Sequence, residues 1–282
     1  MKTAQELTAA DYRRYIDAFN RSDFAQFSRF YRADLEFHGR GGDFRGRDAV
    51  VAFYREVHSR LREKLEVRRI IEGPGQLVAD VVTQLQAGQD WPDFPTGPLK
   101  KGQILHSQNF IWYEHAGGEF TRIRSAHYRR GDIPDDGPGP APVTADQPAL
   151  TAERFGHYID AFNRNDYGGF ADYYSPDVVL VIAGRQELRG RDSIVDFYRD
   201  VKARTRRTIR VNRLITAPGA IAAELESEFL ALEDLADFTA GPMLKGDRIF
   251  INTIALYDLE DGRFRRIRSA VLRKIYRPVD ST

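Results

Sequence analysis

The sequence repeats itself, and this repeat limits the possible folds more than any other feature of the chain. Residues 7–31 read LTAADYRRYIDAFNRSDFAQFSRFY, and residues 150–174 read LTAERFGHYIDAFNRNDYGGFADYY. Further along, GRDAVVAFYREV (46–57) returns as GRDSIVDFYRDV (190–201), with one extra residue near Arg185 in the second copy. Two copies of so long a repeat indicate two domains of one fold rather than a solenoid.

The repeat also divides the chain of 282 residues. The stretch GDIPDDGPGPAPVTADQPA, over 131–149, is dominated by proline, glycine and aspartate, which predicts a semi-extended linker. We therefore predict a first domain over 1–130 and a second domain over 150–282. Each is of ordinary domain size and is long enough to bury a core of its own.

Each copy runs from helical patterns to strand patterns. In the first copy, helices are predicted over 8–21, 23–31 and 47–63, with a short strand over 34–38 between them. Four strand-like segments follow, near 65–72, 76–87, 102–114 and 119–130. Helices followed by a run of strands predict an α+β domain whose helices pack on one face of an antiparallel sheet.

Composition excludes several classes of function. The formal net charge is +1, so no overall field attracts nucleic acid or an anionic membrane. The chain has no cysteine, which rules out disulfides, thiolate nucleophiles and cysteine-bound zinc. No apolar leader and no apolar run of about 18 residues is visible, so we expect a cytoplasmic protein without a membrane partner. The dispersed histidines lack metal-ligand spacing and no glycine motif for nucleotides occurs, which predicts no metal and no cofactor.

The motifs Y-x-x-A-F-N-x-x-D-[FY] and G-R-D-[AS]-[IV]-x-x-F-Y, in this order, resemble the nuclear transport factor 2-like superfamily, which includes SnoaL-like proteins. The resemblance covers both copies. It implies that each domain is a cone, with a strongly curved sheet wrapped around helices and a pocket inside. It also implies pairing through the outer sheet face, within the chain or in a homodimer. The superfamily includes ketosteroid isomerase, scytalone dehydratase, polyketide cyclases, epoxide hydrolases and non-catalytic binders.

Three residues of the first copy match functional positions in these families. The first helix resembles that of ketosteroid isomerase, which implies that Tyr15 is an oxyanion-hole tyrosine. The strand HSQNFIWYE (106–114) resembles a strand of scytalone dehydratase, which implies that Ser107 and Asn109 line the pocket. Alignment with ketosteroid isomerase implies in addition that Asn109 is a second oxyanion donor.

Two histidines are candidates for proton transfer. On the last predicted strand, Arg122 and Arg124 share a face that suits the outside of the domain, which directs Ser125 and His127 inward. A neutral histidine, with an ordinary pKa of about 6.5, moves protons near neutral pH. His38 is the second candidate, because the resemblance places the catalytic base of ketosteroid isomerase near this position, where the chain has no carboxylate.

The two copies differ at the predicted pocket positions. If Asn109 faces the pocket, the first copy lines it with two strong donors and a titratable group, whereas the second copy keeps only the tyrosine. The matched sets are Tyr15, Thr83, Ser107, Asn109, Ser125 and His127 against Tyr158, Ser227, Ile251, Thr253, Ser269 and Val271. We therefore predict an active site in the first domain and a degenerate pocket in the second.

Three further residues are candidates for substrate binding. Tyr54 lies on the inward face of the helix predicted over 47–63. Trp91 belongs to the loop QDWPDFPTGPLKKG (89–102), which either covers the pocket or packs on its own aromatic residues. Arg69 would bind a substrate carboxylate or phenolate if it points inward, and a solvated or inter-domain position is the alternative.

The leading hypothesis is a cofactor-independent lyase, dehydratase or isomerase that acts on a hydrophobic small molecule, aromatic or polycyclic. Such chemistry needs donors aimed at a developing oxyanion and a group that carries a proton. A non-catalytic small-molecule binder is the first alternative. An epoxide hydrolase or epoxide-opening cyclase is the second, and it requires an acidic group in a pocket, such as Asp80 or the glutamate row that begins at Glu224.

Overall fold

The computed structural model describes residues 6–134 and 150–279. The chain divides into two compact units, Met1–Gly139 and Pro140–Thr282. Most of the linker predicted over 131–149 lies outside the described residues. Each unit combines helices with a mostly antiparallel sheet, which confirms the predicted α+β class.

Apart from one short strand, Gly42–Arg45, the elements of the first unit follow the order expected from the sequence. They are α1 (Ala9–Asn20), α2 (Phe24–Phe27), β1 (Tyr31–Gly39), β2 (Gly42–Arg45), α3 (Arg47–Arg60), β3 (Leu61–Gly73), β4 (Gln76–Ala87), β5 (Ile104–Ala116) and β6 (Glu119–Arg130). The strands pair in the order β3-β4-β5-β6-β1-β2, and all neighbours are antiparallel except β6 and β1, which run parallel. Register shifts in the β3–β4 and β5–β6 pairs mark β-bulges, which bend the sheet.

The second unit repeats this arrangement. Its elements are α4 (Ala152–Asn163), α5 (Tyr167–Ala171), β7 (Tyr174–Ile182), β8 (Gln186–Arg189), α6 (Arg191–Arg204), β9 (Thr205–Ala217), β10 (Ala220–Ala231), β11 (Arg248–Glu260) and β12 (Arg263–Arg277). Within this unit the strands pair in the order β9-β10-β11-β12-β7-β8, again with one parallel pair, β12 and β7. The sequence repeat is therefore also a structural repeat.

The asparagine of the repeated YIDAFN segment attaches the first helix of each unit to the sheet. Asn20 donates from Nδ2 to the carbonyl oxygen of Leu65 at 2.9 Å and accepts from the N–H of Leu65 at 2.7 Å. Asn163 makes the same two bonds to Ile209, at 2.9 and 2.8 Å. Both backbone groups of one strand residue are satisfied in this way, so the repeat preserves a scaffold contact.

The repeated Gly-Arg-Asp segment fixes the start of the long helix. Gly46 caps α3 at a φ of 91°, in the left-handed region where a side chain would be strained. Arg47 then donates from Nε to the carbonyl oxygen of Tyr31 at 2.6 Å, which joins the helix to β1. Gly190 and Arg191 repeat this arrangement in the second unit, at a φ of 84° and a distance of 2.7 Å.

The helices are short and amphipathic. Helix α1 buries Tyr12, Tyr15, Ile16 and Phe19, the face predicted from their spacing. Among the described residues, no helix is both long enough and apolar enough to cross a membrane.

Two local features differ from the elements predicted for this unit. The segment GRGGDFRG (39–46), which lies in none of the predicted elements, contains strand β2, which pairs with β1. The helix predicted over 47–63 ends at Arg60, because Leu61 is already extended at a φ of −145° and begins β3. No glycine or proline marks this boundary, so the local pattern does not reveal it.

Candidate functional site

A cavity of about 150 Å³ lies inside the first unit, bounded by α1, α3, the sheet and the loop over 89–102. Nine apolar side chains line it. Six are aliphatic and lie on the strands or on α3, and three are phenylalanines. The nine are Phe37, Phe53, Val57, Leu65, Leu85, Phe94, Leu105, Ile111 and Ile123. An apolar cavity of this order of volume accommodates about one benzene ring.

Strand alternation places a group of polar side chains on the same wall. Ser107 and Asn109 of β5 line the cavity, as do Ser125 and His127 of β6. Asn109 is opposite His127 in the β5–β6 pair and donates from Nδ2 to the Oγ of Ser107 at 3.2 Å. Thr83 of β4, opposite Ser107, also lines the cavity. Amide, hydroxyl and imidazole groups thus lie together on neighbouring strands.

A carboxylate, Glu63 of β3, also lines the cavity, where its side chain is 14% exposed. Its Oε2 is 3.5 Å from the Nε2 of His58, a side chain that is only 6% exposed. The Nδ1 of His58 is in turn 2.9 Å from the Oγ of Ser22. If the Ser22 hydroxyl donates to Nδ1, the neutral ring carries its proton on Nε2, toward Glu63. Ser22 thus holds the imidazole of His58 beside a carboxylate of the cavity wall, although the Nε2 of His58 makes no hydrogen bond to it.

Tyrosine hydroxyls form two pairs beside this carboxylate. The Tyr15 hydroxyl is 2.8 Å from that of Tyr31, and the Tyr12 hydroxyl is 3.1 Å from that of Tyr113. Burial, followed by the neighbouring Tyr113, raises the pKa of Tyr15 well above its ordinary value, and the charge of Glu63 raises it further. The hydrogen bond from Tyr31 acts in the opposite direction. Tyr15 is therefore a neutral donor on the cavity wall, within electrostatic reach of Glu63.

Tyr54 of α3 lines the cavity close to the same carboxylate. Burial raises its pKa well above the ordinary value, and the neighbouring Tyr15 and the charge of Glu63 raise it further. Its phenol is therefore uncharged near neutral pH and forms part of the hydrogen-bonding wall.

Two arginines line the solvent-exposed part of the cavity. Arg40 lies in the turn between β1 and β2, and Arg130 is the last residue of β6. Arg130 donates from Nη1 to the carbonyl oxygen of Thr96, in the loop over 89–102, at 2.9 Å. Burial, and then the positive charge of Arg130, lower the pKa of Arg40. The two guanidinium groups are therefore close enough to repel each other.

The loop over 89–102 contributes to the cavity through Phe94 and Thr96 and not through Trp91. The ring of Trp91 packs against Phe94 with centroids 4.8 Å apart, and the guanidinium of Arg60 lies 4.7 Å from its centroid. Backbone hydrogen bonds of 2.8 and 2.9 Å between Trp91 and Leu99 close the loop. The loop is thus a cover that packs on its own aromatic residues.

Histidine orientation differs from two expectations. His38 does not line the cavity, because its neighbours Phe37 and Gly39 do and successive strand residues face opposite sides. Its Nδ1 lies instead 3.1 Å from the Oδ1 of Asp43, across the β1–β2 hairpin. His106 does contribute to the wall at the start of β5, although its parity along the strand predicts the other face.

Arg69 is not among the residues that line the cavity, because a β-bulge intervenes on β3. The register shifts between Val67 and Arg69, which changes the alternation that brings Glu63 inward. Arg69 is then opposite Asp80 of β4. Asp80 does not line the cavity either, and it accepts a hydrogen bond from the Nε2 of Gln108 at 2.7 Å.

The second unit has different residues at the positions that correspond to Glu63 and to the two residues beside it, His58 and Ser22. The matched sets are Ser22, His58 and Glu63 against Asn165, Lys202 and Arg207. Lys202 is buried and donates to the carbonyl oxygen of Phe162 and, at 2.8 Å, to the Oδ1 of Asn165. Burial, and then the charge of Arg207, lower the pKa of Lys202 to about 8.

Arg207 packs among aromatic rings. Its guanidinium carbon lies 5.1, 5.0 and 4.8 Å from the ring centroids of Phe162, Tyr198 and Phe229. Such cation–π contacts hold a guanidinium in apolar surroundings. Glu224, at the start of the glutamate row, accepts instead from the Nη1 of Arg213 at 3.0 Å. In the second unit, cations therefore replace the carboxylate and the histidine.

Sequence reasoning missed Glu63 because the helix before it was predicted three residues too long. A strand that begins at Leu61 places Leu61, Glu63 and Leu65 on one face. The detectable signal is the reversal of charge between the copies, from Glu63 to Arg207. In the described residues, no three histidine, aspartate or glutamate side chains are grouped in a way that could hold a metal ion.

Two segments of the chain, residues 12–123 and 155–267, match the model of a family described as a SnoaL-like domain. The two segments cover both repeats and include Tyr15, Glu63 and Asn109. A search of curated protein sequences found no match.

Solved structures match about one repeat each. One is an LEH-like epoxide hydrolase from M. tuberculosis, 14% identical over 42% of this chain and 78% of that chain, with a TM-score of 0.35. A computationally designed 17-OHP binder is 15% identical over 43% and 94% of the two chains, with a TM-score of 0.36. A hypothetical protein with a ketosteroid isomerase-like fold from Catenulispora acidiphila, in complex with trimethylamine, is 11% identical over 46% and 89%, with a TM-score of 0.35.

Proposed function

This chain belongs to the SnoaL-like family through both of its repeats, and we propose that its first unit is a cofactor-independent enzyme. The proposed reaction is proton transfer on a small hydrophobic substrate, of the isomerase or lyase type, with stabilisation of an oxyanion. The observation that carries the proposal is the Glu63 carboxylate, which lines the cavity together with apolar and hydrogen-bonding side chains and lies 3.5 Å from His58.

In the proposed reaction, Glu63 removes a proton from a carbon atom next to a carbonyl group. The electron pair of the C–H bond forms the new double bond, and the carbonyl oxygen becomes an oxyanion. Asn109 and Tyr15 donate hydrogen bonds to this oxygen, which is effective in a cavity with few waters. The negative charge moves from Glu63 to the substrate oxygen, so the net charge of the cavity does not change.

Two outcomes complete the reaction. In an isomerisation, Glu63 returns the proton to another carbon of the substrate. In a dehydration or another elimination, the oxyanion reforms the carbonyl group and the electron pair moves to a double bond between the α- and β-carbons as the bond to the leaving group breaks. His127, in its imidazolium form, gives a proton to the departing oxygen and becomes neutral. The position of His127, opposite Asn109 in the β5–β6 pair, supports this second role.

The position of Tyr15 supports its proposed role as a donor, although the same tyrosine pair occurs in both units. The hydroxyl oxygens of Tyr158 and Tyr174 are 3.1 Å apart. This pair corresponds to Tyr15 and Tyr31, whose hydroxyl oxygens are 2.8 Å apart. The tyrosine pair is thus part of the scaffold. What distinguishes the first unit is the pairing of this donor with Glu63, Asn109 and His127.

The test uses substrates whose single ring matches the cavity volume. The protein is incubated with phenylacetone in D₂O, and deuterium incorporation next to the carbonyl is followed by proton NMR. We expect the wild-type protein to accelerate exchange and Glu63→Gln to lose about a hundredfold or more of that rate. Glu66→Gln, an exposed carboxylate on the same strand, is the matched control and should retain the rate. Exchange by Glu63→Gln at the wild-type rate would contradict the proposal.

Epoxide opening is the second candidate, and the same carboxylate favours it. Glu63 would accept a proton from a water molecule whose oxygen attacks an epoxide carbon. The C–O bond of the ring breaks, and its oxygen takes a proton from His127. Styrene oxide is the matched probe: diol formation that depends on Glu63, without ketone exchange, would favour this reaction. Binding of both probes with no conversion of either would favour a non-catalytic binder.

A further inference from the structure

Two cations of the cavity wall, Arg40 and Arg130, have no role in the proposed proton transfer. We propose that they form a binding site for an oxyanion, so that the substrate of the first unit is a small apolar acid. The carboxylate of this acid lies against the two guanidinium groups, and its apolar part, with the reacting carbon, lies in the cavity. This inference rests on the proposed function, because it names the substrate class of the same cavity.

The first argument is the absence of a charge partner. Within residues 6–134, neither Arg40 nor Arg130 forms an ion pair with a carboxylate, and Arg130 donates only to the carbonyl oxygen of Thr96. Other arginines of the same unit do have such partners: Arg122 pairs with Glu36, and Arg47 pairs with Glu119. Two cavity-lining arginines that no carboxylate of the described residues pairs with are therefore suited to an external anion.

The second argument is electrostatic. Burial lowers the pKa of Arg40, and the charge of Arg130 lowers it further, so the two like charges raise each other's free energy. A bound anion would attract both guanidinium groups and so offset their mutual repulsion. Guanidinium groups present planar donors that match the two oxygens of a carboxylate, whereas a neutral substrate would leave the repulsion in place.

The third argument comes from the position of the pair relative to Glu63. Glu63 lies on β3, at one end of the strand order of the unit, whereas Arg40 and Arg130 lie in the β1–β2 turn and on β6, toward the other end. The cavity lies between them, since all three residues line it. An acid bound by its carboxylate at the arginines would therefore direct its apolar part toward the proposed base.

The second unit differs at these positions. Alignment of the repeats places Ala183 at the position of Arg40, with the inserted Arg185 in the same turn, and Lys274 at the position of Arg130. The second unit therefore keeps cations in this turn and on the last strand, but it lacks the Glu63 carboxylate. Two arginines and a carboxylate occur together in the lining of the cavity to which we assign the reaction.

The test compares an acid with its neutral amide. Binding of phenylacetate and of phenylacetamide to the full-length protein is measured by isothermal titration calorimetry at low ionic strength. We expect the wild-type protein to bind the acid about tenfold more tightly or better. Arg40→Gln and Arg130→Gln should each reduce this preference, and the double variant should abolish it while the affinity for the amide stays unchanged. Lys274→Gln, the matched control in the second unit, should leave the preference intact.

Three results would overturn the inference. They are equal affinity of the wild-type protein for acid and amide, a preference that survives the double variant, and failure of the acid to bind at millimolar concentration. Glu63→Gln separates this inference from the proposed function, because that variant should lose turnover and keep the preference for the acid. A preference that depends on the arginines, in a protein that exchanges no substrate protons, would support the anion site and reject the reaction.

Discussion

The two units have the same scaffold and opposite charges on the inner wall. Asn20 and Asn163 make the same pair of bonds to a strand backbone, with lengths that agree within about 0.1 Å. Glu63 and Arg207 occupy the matching position on the third strand of each unit with reversed charge. The fold therefore does not depend on the sign of this charge, and the sign is free to follow the chemistry of each unit.

The two units also differ at two positions close to Glu63 and Arg207, which are occupied by Ser22 and His58 in the first unit and by Asn165 and Lys202 in the second. Ser22 and Asn165 both adopt positive φ, at 55° and 61°, so the turn after the first helix is retained. Ser22 offers a hydroxyl to His58, whereas Asn165 offers an amide oxygen to the ammonium group of Lys202. A histidine beside a carboxylate and a lysine that needs an acceptor require different partners, which explains why the three positions differ together.

The largest effect should follow from a transfer of the second unit's charges into the first. His58→Lys together with Glu63→Arg should reduce substrate conversion by about a hundredfold or more, because the proposed general base is lost. The reverse exchange, Lys202→His together with Arg207→Glu, should leave conversion unchanged. Initial rates with the best substrate of the panel provide the measurement, with circular dichroism to verify folding. Equal losses in both exchanges would show that the two units do not differ in catalysis.

The next effect concerns the pH dependence of stability in the second unit. The folded pKa of Lys202, about 8, is below the ordinary value of 10.5, so the unfolded chain binds more protons between these values. Stability should therefore rise with pH above about 8, by about 2 kcal/mol at about pH 9.5 out of a full rise on the order of 3 kcal/mol, if this group acts alone. Denaturant titrations of the wild type and of Lys202→Met between about pH 7 and pH 9.5 measure the difference. The variant should lack the rise, and Lys64→Met, an exposed lysine of the first unit, should keep it.

A smaller and symmetric effect is expected at the scaffold asparagines. Asn20→Ala and Asn163→Ala each remove two hydrogen bonds and leave the backbone groups of one strand residue without that partner. Each should lower the free energy of unfolding by about 2 kcal/mol. Denaturant titration measures both losses. A loss in one variant that is several times the other would show that the shared contact is not equivalent in the two units.

The smallest effect is expected at the tyrosine pairs. Tyr15→Phe and Tyr158→Phe each remove one hydroxyl hydrogen bond and should each lower the free energy of unfolding by about 1 kcal/mol. Their effects on conversion should differ, because only Tyr15 is assigned as an oxyanion donor. Measurement of both quantities on each variant separates the roles. Conversion that is unaffected by Tyr15→Phe would remove Tyr15 from the mechanism and leave Asn109 as the donor.

Alternation along β5 and β6 made part of the site predictable. Asn109, Ser107, Ser125 and His127 line the cavity, as expected from strand parity once the family resemblance and the outward arginines of β6 indicate which face is inside. The fold class was predictable for a related reason, since helical and strand-like periods occur in a recognisable order in both copies.

The rest of the site depends on features that local patterns do not encode. Glu63 was missed because the end of α3 is set by packing and has no glycine or proline to mark it. The position of Arg69, left open by the sequence, depends on a β-bulge after Val67 that changes the parity of β3. In both cases a shift of a few residues at an element boundary or a bulge is enough to move a side chain to the other face.

The identical YIDAFN hexapeptide at 15–20 and 158–163 has a practical consequence for anyone who looks for the substrate. Amide protons in the two copies have nearly the same covalent neighbours, so their unprotected hydrogen-exchange rates should be nearly equal. A compound that occupies the first cavity should slow exchange in the first copy and leave the second unchanged. Each sample therefore contains its own internal standard, and a compound library can be screened by mass spectrometry without any assay for turnover.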